Sequence, residues 1–188
     1  MKIYLVLTDT NTLLSKTIKF YTKADYNHAS IALDSSLRDM YSFGRKRPNN
    51  PFIAGFIQED LTREYFIRAQ CNILSCDVTL EQFTLLTNLI GYYEQTKNMY
   101  HYNLIGLVTL ALNIDFKRDD MFFCSEFVAT LLADSKIYDF QKEINFITPQ
   151  DLEVLPIFES IYTGSLYDYL ASTPNQLLQP GLLTLSKI

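Results

Sequence analysis

The 188-residue sequence predicts an α+β domain, in which antiparallel strands and helices occupy separate stretches of chain. Three observations carry that prediction. β-type runs pair off across short turns, as at residues 28–33 and 38–43 around Asp34-Ser35. Helix-period apolar residues stand apart from them, most clearly Phe83, Leu86, Leu89, Ile90 and Tyr93. The composition is globular, 48% apolar and 20% charged. A chain this long buries about 70% of the surface its unfolded form exposes, so it needs no disulfide or metal staple. Residues 1–188 read as one domain, with about 172–188 a surface-packed tail.

In chain order, Lys2-Ile3-Tyr4-Leu5-Val6-Leu7-Thr8 reads as a largely buried strand and not as a secretory leader. Leu13, Leu14, Ile18, Phe20 and Tyr21 fall at helical spacing. The hairpin of residues 28–43 follows, with His28 opening its first strand. Residues 44–55, with Pro48, Asn49, Asn50 and Pro51, read as a loop. Two β-rich runs come next, at 64–69 and 72–78, and then a helix opened by Thr79-Leu80-Glu81-Gln82 and ending near Thr96. Further helices are expected at 103–112 and from residues 122–125 to about Ala133. Thr148-Pro149-Gln150-Asp151-Leu152 reads as a short helical turn with proline at its first position, and 153–162 as a last strand.

The charge balance narrows the function. A net charge of −5 and a pI near 5.0 do not suit the neutralisation of nucleic-acid phosphates. The one basic cluster, Arg45-Lys46-Arg47, is read as a solvated loop. The longest apolar run, 104–114, is too short to cross a bilayer, so no transmembrane segment is expected. Three cysteines at these spacings fit no zinc pattern, and no cofactor or metal is expected; the setting implied is reducing and cytoplasmic.

Candidate chemistry begins with those cysteines. Cys71 and Cys76 lie in a β-rich apolar stretch and read as small buried hydrophobes. Cys124 falls in the first turn of an expected helix, where unpaired N–H groups and the helix dipole favour a thiolate. A buried core cysteine at a helix start has the same local pattern, so both readings stand. Two histidines are available as a base. His101 sits among tyrosines and reads as structural; the local sequence does not decide for His28.

Asn27-His28-Ala29-Ser30-Ile31-Ala32-Leu33, followed by Phe122-Phe123-Cys124-Ser125-Glu126-Phe127-Val128, resembles the permuted branch of the NlpC-type papain-like cysteine hydrolases. That branch holds the YiiX-like proteins and the lecithin–retinol acyltransferase group. The segment Thr148-Pro149-Gln150-Asp151-Leu152 resembles its "proline, acid" segment, and the likeness covers about residues 1–165. It implies an antiparallel sheet or partial barrel against helices, with the histidine strand ahead of the nucleophile helix. Cys124 is then the nucleophile and His28 its base. The family places a third polar residue on the strand after the histidine. Strand parity puts Ser42 there, with Asp34 as second candidate, although glutamate, histidine, asparagine or glutamine is more usual. Glu126 is a helix-start charge. Tyr4, Tyr26, Tyr41, Tyr100 and Tyr102 read as groove walls or core rim.

The activity this implies is a thiol hydrolase cleaving a peptide-like amide through an acyl-enzyme. The alternatives are an acyltransferase or lipid-ester thiol hydrolase, and a non-catalytic binding module on the same fold. The expected partner is a peptide-like or acyl small-molecule substrate.

Overall fold

The computed structural model describes residues 1–9, 25–47, 50–97, 101–102 and 121–173. The strands are β1 (Lys2–Asp9), β2 (His28–Ala32), β3 (Met40–Arg47), β4 (Asn50–Gln58), β5 (Gln70–Asp77), β6 (His101–Tyr102), β7 (Met121–Phe122) and β8 (Glu159–Ser165). The helices are α1 (Glu64–Ile67), α2 (Leu80–Thr96), α3 (Cys124–Asp134), α4 (Pro149–Glu153) and α5 (Leu166–Ser172). Six strands form one sheet in the order β4-β3-β2-β1-β5-β8, each antiparallel to its neighbours. Helices pack on both faces of it, and the class is α+β.

Covering both faces explains why β1 is apolar without alternation. Ile3, Leu5 and Leu7 join Phe43, Phe56, Leu86, Phe127 and Leu131 in the larger core, under α2 and α3. Tyr4 and Val6 point the other way, to Phe66 of α1 and to Leu166, Tyr169 and Leu170 of α5. The larger core centres on Phe127, whose ring centroid lies 5.0 Å from Phe43, 5.3 Å from Tyr93 and 5.7 Å from Phe56. This cluster fixes α3 on the sheet, and so fixes Cys124 at its start.

Local chemistry sets the helix ends. Thr79 and Gln82 form a capping box at α2, and Thr148, Pro149 and Asp151 do the same for α4. At α3 the cap is Phe123, which has no side-chain acceptor; instead Glu126 Oε2 receives the Phe123 N–H at 3.1 Å. Its far end closes with Ile137 N–H on Leu132 O and Lys136 N–H on Ala133 O, both 2.9 Å.

Several expectations need correction. Of residues 44–55, expected as a loop, 44–47 belong to β3 and 50–55 to β4. An edge strand tolerates a proline with its missing N–H, which is why Pro51 misled the sequence reading. Residues 64–69 hold the single helical turn α1 in place of a strand, and the last strand lies at Glu159–Ser165. Helix α5 was not foreseen. The helices expected around 13–22 and 103–112, and all but the start of the 172–188 tail, lie outside the described residues. No described helix is long and apolar enough to cross a membrane.

Candidate active site

β1 pairs with the whole of β2, from Thr8↔His28 to Tyr4↔Ala32, whereas the β2–β3 ladder holds only Ile31↔Tyr41 and Ala32↔Met40. The two strands splay at the His28 end, which leaves β2 an open edge there. Cys124 stands against it: the Ala29 N–H, which has no ladder partner on β3, and the Ser125 N–H in the first turn of α3 both favour a thiolate at its sulfur.

His28 stands beside the same sulfur, close enough that each group stabilises the charged form of the other. Its Nε2 lies 2.7 Å from Glu59 Oε1 and 3.3 Å from Ser30 Oγ. With Nε2 committed to Glu59, Nδ1 is the ring nitrogen left for the thiol. Glu59 follows directly on β4, and its N–H bonds Met40 O at 2.8 Å, which keeps it in line with β3. Its side chain is 2% exposed against 16% for His28, so the ion pair sits in a low-dielectric setting. Ser42 Oγ donates to Glu59 Oε1 at 2.5 Å, and the Phe66 ring stands 6.5 Å from the imidazole.

The electrostatics follow from these contacts. Burial works against a thiolate at Cys124, but the His28 hydrogen bond and charge, with the Ala29 and Ser125 N–H groups, outweigh it and hold the thiol below its ordinary value. Burial likewise opposes charge on His28, yet its bonds to Cys124 and Glu59 raise it well above the ordinary imidazole range. Cys71 is the control. It is buried without an imidazole, and burial pushes it up to about 12 despite a Gly164 backbone hydrogen bond. Burial makes a cysteine inert unless a cation is buried with it.

Comparison with family models, curated proteins and solved structures found no match to this chain. The geometry therefore carries the functional reading alone.

The structure brings Cys124 and His28 together and sets Ser42 one bond further out, on Glu59 and not on the ring. Glu59 was missed. The loop expected at 44–55 overlaps most of the strand that delivers it, although Phe52-Ile53-Ala54-Gly55-Phe56-Ile57 ending at Gln58-Glu59-Asp60 is a strand-like run closed by polar residues. Asp34 stays in its own turn: it accepts the Ser36 N–H at 2.7 Å, the Asp39 N–H at 3.0 Å and the Ser36 hydroxyl. Of the candidate groove tyrosines, Tyr4 is buried in the smaller core and Tyr41 stacks on Phe56 at 5.8 Å. Tyr26 is half-buried against the larger core, and Tyr100 lies outside the described residues. Of His101 and Tyr102 only the backbone is described, in the β6–β7 pair; the strand position of Arg45-Lys46-Arg47 replaces the loop expected for it.

A cleft of about 340 Å³ opens at the Lys2 end of β1, lined by Cys76, Asp77, Gln82, Ile137 and Glu159 among others. It lies at the opposite end of the strand from the residue that pairs with His28. Burial and the Asp77 charge raise the Cys76 thiol, so this cleft offers no activated nucleophile.

Gly44 keeps the space beside the imidazole open. A Cβ there meets Ile57 Cδ1 at 3.0 Å, Ser42 Oγ at 3.2 Å and His28 Cε1 at 3.6 Å. Gly44→Ala is expected to cost about 1–2 kcal/mol, read from urea denaturation, because Ser42 is buried and has little room to yield. A neutral result there means that the Ser42–Glu59 geometry is softer than the packing implies.

Proposed function

We propose that this chain is a cysteine acyl hydrolase of permuted papain-like design, acting on a peptide-like amide. One observation carries the reading: a thiol at a helix N-terminus stands beside an imidazole whose Nε2 rests on a buried carboxylate. Nucleophile, base and orienting group stand in the linked order that covalent acyl transfer needs. The order in the chain, histidine strand before cysteine helix, also fits the permuted arrangement.

His28 Nδ1 takes the Cys124 proton, and the thiolate attacks the carbonyl carbon. The negative oxygen formed lies near the first turn of α3, whose Cys124 N–H has no acceptor within the helix. The C–N bond then breaks, its electron pair leaves with nitrogen, and the imidazolium returns the proton to the departing amine. Water, deprotonated by His28, attacks the thioester; the acid leaves and the thiol is restored.

Incubation with p-nitrophenyl acetate, followed by peptide mass mapping, tests the covalent step. An acetyl group is expected on Cys124, with Cys71 and Cys76 unmodified and no adduct in Cys124→Ala. Labelling spread over all three cysteines, or absent from Cys124, would sink the proposal.

A further inference from the structure

We propose that Ser42 is a positioning residue for the Cys124–His28 pair, acting through Glu59 to hold the ring with Nε2 on the carboxylate and Nδ1 turned to the thiol. The inference rests on the acyl-transfer reading above and adds a fourth residue to it.

Ser42 lies on β3, fully buried, and its Oγ donates to Glu59 Oε1, the very atom that meets His28 Nε2. A buried hydroxyl is costly unless bonded, and at a site flanked by Ile57 and Gly44 an alanine would pack without that cost. The oxygen is retained where its hydrogen has one destination. Because Ser42 donates, Oε1 is an acceptor; because Oε1 is an acceptor, Nε2 carries its hydrogen. Nδ1 is then the nitrogen turned to Cys124, and the one that exchanges the proton with it. Both bonds converge on one oxygen, so the carboxylate is held from two strands: through Ser42 on β3 and through His28 on β2. Without Ser42 the carboxylate keeps one tether and turns about its last side-chain bond.

The titratable groups facing His28 among the described residues are Glu59, at the end of β4, and Cys124, on α3. β1 presents Thr8, β2 itself Ser30, and α1 the Phe66 ring, none of which titrates between pH 4 and 10. A change in the pH profile therefore reports on this network.

The test is the pH dependence of Cys124 alkylation by iodoacetamide, resolved by mass mapping, which needs no substrate. Ser42→Ala should slow labelling at pH 6 by about three- to tenfold and move the acid limb to higher pH, since hydrogen bonds to charged groups are among the stronger ones. Ser42→Thr keeps the donor and should recover most of the loss. In a Glu59→Ala background, Ser42→Ala should change nothing further. Nitrogen NMR of the His28 ring gives a direct second reading: hydrogen on both ring nitrogens of the unaltered protein at neutral pH, and in Ser42→Ala loss of one of them at lower pH than in the unaltered protein. If Ser42→Ala labels like the unaltered protein, or slows labelling equally without Glu59, Ser42 is structural only and the inference is overturned. If the unaltered protein shows no lowered acid limb, the acyl-transfer reading falls, and this inference with it.

Discussion

His28→Ala is expected to move the acid limb of Cys124 alkylation from below the ordinary thiol value to above it. The sign follows from the two shifts. A lowered thiol keeps its thiolate down to that lowered value and loses it only as the pH falls further; a raised imidazole keeps its proton until the pH climbs past its raised value. Between the two the pair is thiolate and imidazolium. Without the ring only burial and two backbone N–H groups remain, and burial is the largest influence on this thiol. At pH 6 an ordinary thiol of pKa near 8.5 is about 0.3% thiolate, and a buried one is less ionised still. Part of that difference is offset because a less acidic thiolate is the better nucleophile. The labelling rate at pH 6 should therefore fall by about tenfold or more, and amide turnover by a larger factor, since His28 also protonates the leaving amine. Turnover in the unaltered protein should follow a bell, rising through the Cys124 value and falling above the raised His28 value. An unchanged alkylation profile in His28→Ala, measured by stopped-flow or mass mapping, rules out the pair.

Local signals placed Cys124 and His28 in their elements, but it was the resemblance to the permuted papain-like hydrolases that paired them. Cys124 opens the amphipathic run Phe127, Val128, Leu131, Leu132, and His28 opens the apolar strand Ile31–Ala32 beside the well-marked β1. Glu59 and the true place of Ser42 were not legible, for one physical reason. β4 is an edge strand and carries Pro51, so the local composition matched a loop even though pairing with β3 makes it a strand. Once β4 pairs with β3 in the register Ser42↔Ile57, alternation returns Glu59 to the face of Ile57 and Ser42, beside His28. The short α1 was hidden too: at four residues it is too short to show a helical period, and the backbone bonds of Phe66 and Ile67 to Arg63, with the packing of Phe66, define it. A third residue chosen by parity along one strand thus stopped one bond short of the group it supports.

Phe127→Ala should be among the most damaging single changes in the larger core, at about 3–5 kcal/mol in urea or thermal denaturation. Phe127 is fully buried, and its ring meets Phe43, Phe56 and Tyr93 within 5.7 Å, so truncation removes transfer energy and leaves a cavity that three rigid rings close poorly. Against a total stability of about 5–15 kcal/mol, that is about a fifth of the margin at the least, or roughly 10 °C of melting temperature. The contrast variant is Leu80→Ala: Leu80 also lies on a helix but is 71% exposed, and its change should stay within about 0.5 kcal/mol. Phe127 bears on chemistry as well as stability. It sits three residues beyond Cys124, about one helical turn along α3, and clamps that end of the helix to β3 and β4. Loosening the clamp should widen the splay in which Ala29 N–H and His28 reach the sulfur. Cys124 of Phe127→Ala should therefore alkylate more slowly at pH 6 well below its melting point, with Cys71 protected until the fold opens. If Phe127→Ala costs no more than Leu80→Ala, the aromatic cluster is not what holds the nucleophile helix on the sheet.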